Sequence, residues 1–419
     1  MSELATTSGT SSPALAPDAS APAPRKNGRR LRLLPLAIGV SAMAAGIWTG
    51  LARLGVALPG GVPAIADFHG ALMISGFLGT LISLERAVAL QGIPIEPIGM
   101  PSRFLRFAHV LIGKPVPTFP GHARGRGWPY AAPALSSLGA LALLAGMPGL
   151  AVLGFIAASA VLLLASAWIA LRQRALFTIV LTVGAACWTA GTLCWLLRYP
   201  TPAVVGWWLD FLVLTIAAER LELGRLASPP RSSEITFAGA VLLLLIGAAR
   251  GELAQALTSN WAPFTALGLL ACAAWLLRHD IARRTVRIAG QPRFSAVAIL
   301  LGHGWLGVAG LWLLVAPPGT AAFSYDAAVH AITIGFVLSM IFGHAPIILP
   351  AVTGLRLRHC NLAYLSLAVL HVSVVARLAG DLIERPNLRV ASGMLTVIAL
   401  AGYAATLILA RTRAAPRAA

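Results

Sequence analysis

The sequence predicts an all-α integral membrane protein with twelve transmembrane helices, and three observations lead to this prediction. Hydrophobic residues make up 58% of the 419 residues and charged residues only 11%, whereas soluble domains carry roughly 25% charged residues. The apolar residues form twelve segments of roughly 17–25 residues, the length that crosses a bilayer as a helix. The basic residues alternate between the two sides that these segments define.

The predicted helices follow the apolar pattern. They lie at 33–56, 66–90, 130–147, 149–171, 175–197, 203–224, 234–250, 261–278, 296–316, 326–350, 361–379 and 390–410. Residues 1–32 are predicted to be a disordered basic tail and residues 33–90 to hold helices 1 and 2. Residues 91–128, rich in Pro and Arg, are predicted to be a cytoplasmic insertion. Helices 3–12 fill residues 130–410, and residues 411–419 form a second cytoplasmic tail.

The basic residues predict the orientation. With the N-terminus in the cytoplasm, 26 of the 32 Lys and Arg residues lie on that side, as expected for cytoplasmic loops. The chain is therefore predicted to span a membrane with both termini cytoplasmic. The same loops explain the net charge of +18, so the lipid bilayer and not nucleic acid is the predicted partner. The four cysteines form no CxxC motif, which indicates neither a disulfide framework nor a zinc finger.

A weak repeat relates predicted helices 2, 6 and 10. Each begins with an aspartate, and helices 2 and 6 end alike in "SLERAVAL" and "AAERLELG". The aspartates Asp67, Asp210 and Asp326 are 143 and 116 residues apart. Leaving out the 38 residues of the insertion reduces the first spacing to 105. These spacings fit three arcs of four helices, although an acidic residue at a helix start is also favoured by the helix dipole.

Five histidines lie within predicted spans, where carboxylates and basic residues are scarce. Ionisable residues inside a bilayer are costly and usually functional, and imidazole is the commonest protein ligand for metals. His69 and His330 lie about 5–6 Å from the same end of their helices by helix rise. One imidazole from each of two helices is what axial ligation of haem iron requires. Asp67 and Asp326 are candidates to orient these two ligands.

The other three histidines form a looser inner trio of His303, His344 and His371. His344 lies about 21 Å below His330 along the same helix, so one iron cannot bind both. The trio is therefore the candidate for a second metal site.

The stretch "HAITIG" at 330–335 resembles the His-Ala-x-Thr-x-Gly motif of the NnrS family, within the haem-copper oxidase superfamily. The resemblance implies a b-type haem on His69 and His330, copper as a second metal, and a small gaseous ligand in nitric oxide metabolism or stress defence. Predicted helices 6 and 7 carry no histidine, so the copper site of the oxidases is absent and oxygen reduction is not expected. "DFHGALM" also has one histidine where the family tends to have His-x-His.

Two other functions fit the same residues. A twelve-helix secondary transporter would use the histidines as a proton or metal relay, with Asp210, Glu219 and Glu222 as carboxylates. A haem- or metal-delivery protein would use the same ligands without turnover. The sequence contains no nucleotide-binding loop or nucleophile elbow, so it predicts no catalytic residue and does not decide whether the protein is an enzyme.

Overall fold

The computed structural model describes residues 26–59, 65–91, 128–224, 230–254, 263–353 and 356–412. Parts of three predicted regions lie outside them: residues 1–25 of the N-terminal tail, residues 92–127 of the insertion, and residues 413–419 of the C-terminal tail. The described residues confirm an all-helical chain, apart from a single antiparallel pair of two-residue strands. These strands are β1 (Arg356–Leu357) and β2 (Arg411–Thr412), with Arg356 opposite Thr412 and Leu357 opposite Arg411.

Each of the twelve predicted segments coincides with one helix of the described ranges. The helices are α1 (Lys26–Arg53), α2 (66–91), α3 (Trp128–Leu144), α4 (Pro148–Arg172), α5 (Leu176–Leu196), α6 (Thr201–Gly224), α7 (Arg231–Ala249), α8 (Phe264–His279), α9 (Gln291–Val315), α10 (Ser324–Thr353), α11 (Leu362–Leu382) and α12 (Pro386–Leu409). Short helices also occur at Glu252–Ala254 and Ala282–Thr285.

Ten of these helices are long and apolar enough to cross a membrane, which makes the chain a multi-pass membrane protein. The two exceptions are α3 and α8, which are apolar but shorter. Both pack within the bundle and bury residues on one side, such as Leu143 of α3 and Cys272 of α8. Length and composition alone therefore identify ten spans and leave the predicted twelve open.

Helices α2 and α10 share an irregularity that the other long helices of the described ranges lack. Each contains eight residues of π-helix, Leu72–Gly79 in α2 and Ala331–Leu338 in α10. In α2 this segment begins three residues after His69, and in α10 it begins directly after His330. π-Helical turns are rare and occur mostly at functional sites.

The helix ends define two ends of the bundle. We call the end at which α2, α6 and α10 begin the outer end, and the end at which they finish the inner end. Asp67 and Asp326 lie within the first three residues of α2 and α10. Asp210 is different, because it follows the first residue of α6 by nine positions, about 14 Å of helix rise. The predicted equivalence of the three aspartates is therefore wrong for Asp210, which lies deep in the bundle.

Ion pairs and hydrogen bonds connect the inner ends of α2, α6 and α10. Arg86 of α2 forms an ion pair with Glu219 of α6. The next residue, Arg220, reaches His344 of α10 with its Nη2 2.6 Å from the ring Nε2. The similar endings "SLER" and "AAER" thus belong to neighbouring helices that are joined by their charged residues.

Candidate functional site

His69 is held by helix α1. Its Nδ1 lies 2.7 Å from the carbonyl oxygen of Gly46. Gly50 lies one turn further along α1, and a Cβ there would approach His69 Cε1 to 2.8 Å. The spacing Gly46-x-x-x-Gly50 is the small-residue pattern that lets helices approach closely. Glycine at position 50 therefore allows the imidazole to lie against α1, and glycine at position 46 makes room for Met73 of α2.

His330 is held by its own helix. Its Nδ1 lies 2.8 Å from the carbonyl oxygen of Asp326 and 3.4 Å from the Asp326 carboxylate. This geometry supports the predicted orienting role of Asp326, with its backbone carbonyl as the acceptor and its carboxylate further away. The corresponding prediction for Asp67 is wrong, because Asp67 is exposed and the Gly46 carbonyl takes the equivalent position at His69.

These bonds decide which ring nitrogen carries the proton. A carbonyl oxygen can only accept, so Nδ1 must be the donor in both His69 and His330. The neutral ring then has its lone pair on Nε2, and none of the described residues donates a hydrogen bond to either Nε2. Metal-ligating histidines use this arrangement, with one nitrogen bonded to the protein and the other free for the metal. Both rings are half-buried and lie within electrostatic range of each other.

The inner trio has a different arrangement of protons. Arg220 is an obligate donor and occupies Nε2 of His344 at 2.6 Å. The indole Nε1 of Trp305 donates to Nδ1 of His371 at 2.8 Å, and the two rings stack. In both histidines the lone pair already accepts a hydrogen bond, so neither has it free for a metal.

His303 is fully buried, and neither of its ring nitrogens has a hydrogen-bond partner. Its Nε2 lies 3.6 Å from a carboxylate oxygen of Asp280. His303 and His344 lie within electrostatic range of each other and of Arg220, whereas His371 is bonded to Trp305. Within the described ranges no three His, Cys, Asp or Glu residues are grouped as a metal ion requires. The hypothesis that the inner trio binds a second metal therefore stays a prediction, and this geometry does not support it.

A cluster of four charged side chains stands behind His330 at the outer end. We call Asp326, Arg377, Asp381 and Arg389 the outer ion cluster. Asp326 Oδ2 lies 2.5 Å from Arg377 Nη2 and 3.5 Å from Arg389 Nη2. Asp381 completes it, at 2.7 Å from Arg389 Nε and 3.5 Å from Arg377 Nε. The cluster joins α10, α11 and α12, and therefore fixes the part of α10 that carries His330.

The sequence analysis did not predict this cluster. Arg377 and Arg389 belong to the six basic residues that the predicted orientation places on the outer side. A usable signal was present, because Arg377 and Arg389 lie at facing ends of consecutive helices with Asp381 between them. A charged residue at the outer end needs a partner, and Asp326 lies at the same level.

Removal of the Asp326 carboxylate should destabilise the protein. Asp326→Asn leaves Arg377, whose side chain is 7% exposed, without its closest acceptor, and loss of one partner of a buried pair costs roughly 3–5 kcal/mol. We expect a loss near the lower limit, since Asp381 still faces both arginines. Thermal unfolding in detergent, followed by fluorescence-detected size exclusion, measures it.

Asp67→Asn is the matched control, because Asp67 lies at the same end of the bundle but is exposed. It should leave the unfolding temperature unchanged. Equal unfolding temperatures for Asp326→Asn and the wild type would show that the outer ion cluster does not stabilise the helix ends.

Comparison with known proteins gives a family without an assigned activity. A family model described as "Domain of unknown function (DUF8744)" matches residues 30–412. No curated protein and no solved structure matches the sequence. The matched residues include all of α2 to α12 and every histidine discussed above. The chain therefore belongs to the DUF8744 family.

Proposed function

We propose that the protein is a haem-binding protein of a bacterial inner membrane, with His69 and His330 as the axial ligands of a b-type haem. The observation that supports this proposal is the shared state of the two rings. Both are half-buried, both donate from Nδ1 to a backbone carbonyl, and both keep the Nε2 lone pair. They come from separate helices at the same level of the bundle.

Haem fits this pair better than a metal ion bound by side chains alone. A structural zinc ion takes four protein ligands, and no group of three or more candidate ligands occurs in the described ranges. Haem iron receives four nitrogens from the macrocycle and needs only two from the protein. Arg53 and Arg377 are within electrostatic range of His69, where their charges suit the carboxylates of a haem.

Two axial imidazoles suit one-electron transfer, which is the chemistry that the haem would supply. The chain's own contribution would be to orient the rings through Gly46 and Asp326 and to shield the site with α1 and α10. Binding of a gas at the iron needs an open position, so the link to nitric oxide rests on the resemblance of "HAITIG" to the NnrS motif. Copper at the inner trio rests on that resemblance as well.

The proposal also includes the number of membrane spans and the location of the termini. If α3 and α8 also cross the membrane, the chain has twelve spans with both termini in the cytoplasm, as the basic residues predict. Three arcs of four helices would then place α2, α6 and α10 in equivalent positions. The Arg86–Glu219 pair and the Arg220–His344 contact, which link these helices in sequence, support that arrangement.

A second candidate function is a transporter or proton relay. It is favoured by two neighbouring pairs of inner polar residues, Asp280 with His303 and Arg220 with His344, which lie within electrostatic range of each other. Unpartnered buried nitrogens on His303 are unusual and are typical of groups that exchange protons. This function needs no cofactor, so a haem measurement separates the two candidates.

The haem proposal predicts that both outer histidines are required. His69→Ala and His330→Ala should each lower the haem bound per protein by at least about tenfold, the upper part of the effect seen for lost metal-site contacts. A pyridine haemochrome assay on protein produced with added haem measures this. His359→Ala is the control, because His359 is exposed and bonded to Asn361, and it should bind haem like the wild type. A wild-type protein that remains free of haem would contradict the proposal.

The topology predicts where two engineered cysteines can be labelled. Tyr199 lies between α5 and α6 and Thr320 between α9 and α10, and both are exposed. In a background with Cys194 and Cys360 replaced by serine, Tyr199→Cys and Thr320→Cys should both react with a membrane-impermeant maleimide on intact cells. Protection of Tyr199→Cys would mean that α3 does not cross. Labelling of Tyr199→Cys with protection of Thr320→Cys would mean that α8 does not cross.

A further inference from the structure

Asp210 is a buried carboxyl group with no role in the proposed haem site. Its side chain is 4% exposed, and its Oδ2 is buried without a hydrogen-bond partner. In the described ranges no basic residue pairs with it. An isolated carboxylate in an apolar environment is very costly, so this residue needs an explanation beyond packing.

The carboxyl group faces a small cavity. The cavity measures about 10 Å³ and is lined by α6, α7, α8, α9 and α10. A cavity of roughly 10–15 Å³ holds one water molecule. The lining extends from Pro202, in the first turn of α6, inward past Asp210 to Val213. The cavity therefore lies along the outer half of α6, beside the buried carboxyl group.

Of the two acidic residues that line this cavity, only Asp210 has a carboxylate oxygen without a hydrogen-bond partner. Glu252 also lines it, but its two oxygens accept hydrogen bonds from the backbone N–H groups of Phe264 and Thr265, at 3.3 and 2.8 Å. Glu252 thereby caps the start of α8. The buried thiols of Cys187 on α5 and Cys272 on α8 lie within electrostatic range of Asp210. The α10 residues that line the cavity, Ala328 and Ile332, are apolar.

We infer that Asp210 is a proton-binding site, with room for one water molecule beside its carboxyl group. One free carboxyl group beside room for one water can bind and release a proton. Hard metal cations take several oxygen ligands, whereas both Glu252 oxygens already accept backbone hydrogen bonds and Asp210 offers a single carboxyl group, so we infer a proton and not a metal cation as the ligand. The inference does not depend on haem or on the membrane orientation.

The proton-binding site at Asp210 and the proposed haem ligand His330 lie on opposite sides of helix α10. Ala328 and Ile332 are four residues apart and share a face of α10, whereas His330 lies between them on the opposite face. Helix α10 therefore presents one face to the proton site and the other to the proposed haem site.

Reaction with dicyclohexylcarbodiimide tests the inference, because this apolar reagent adds to a buried carboxyl group only when the group carries its proton. The purified full-length protein is treated over a pH series, and the α6 peptide is quantified by mass spectrometry. Labelling at Asp210 should be present at mildly acidic pH and fall by about tenfold per pH unit once the group ionises. Added NaCl or KCl should not change it.

Controls separate the possible results. Asp210→Asn should remove the label from this peptide, and the exposed Asp67 should stay unlabelled under all conditions. Protection by Na⁺ but not by K⁺ at constant pH would overturn the inference in favour of a metal-cation site. Labelling that appears only after denaturation, or that is equal at every pH, would also overturn it. The measurement on the wild type needs no variant, so poor folding of Asp210→Asn would not prevent a decision.

Discussion

The hydrogen bonds at the Nδ1 atoms of His69 and His330 are the interactions on which the functional interpretation depends. Each joins an imidazole to a backbone carbonyl, at 2.7 and 2.8 Å. A carbonyl cannot donate, so the protonation of the ring follows from geometry alone. The same reasoning gives the opposite result for His344 and His371, whose lone pairs are taken by Arg220 and Trp305. His69 and His330 thus keep a lone pair that can bind a metal, whereas in His344 and His371 the lone pair already accepts a hydrogen bond.

The rest of the structure supports these two bonds. Gly50 of α1 lets the His69 ring approach the helix backbone, and Gly46 lets Met73 of α2 pack closely beside it. The outer ion cluster fixes the start of α10 against α11 and α12, with Arg389 also stacked on Phe323 at 3.6 Å. The π-helical segments follow both histidines and occur in α2 and α10 but not in α6, which has no histidine. The irregular backbone and the candidate ligands therefore occur in the same two helices.

Sequence patterns predicted the helices and the level of the candidate ligands well, because both depend on apolar periodicity and a constant helix rise. They did not predict the ring chemistry, since the partners are distant in sequence. Gly46 is 23 residues from His69, Trp305 is 66 from His371, and Arg220 is 124 from His344. Asp210 was matched to Asp67 and Asp326 by spacing alone, although it lies seven residues inside the predicted helix at 203–224 and nine inside α6. The motif "GIWTG" at 46–50 was a readable signal of close packing that the sequence analysis did not use.

Electron paramagnetic resonance of the oxidised protein tests the central claim most directly, because the spectrum reports the axial ligands of ferric haem. We expect a low-spin signal typical of two imidazoles in the wild type, and a high-spin signal from the haem that remains bound in His69→Ala and in His330→Ala. A high-spin signal in the wild type, or a low-spin signal that persists in both variants, would contradict the assignment of His69 and His330 as the ligand pair.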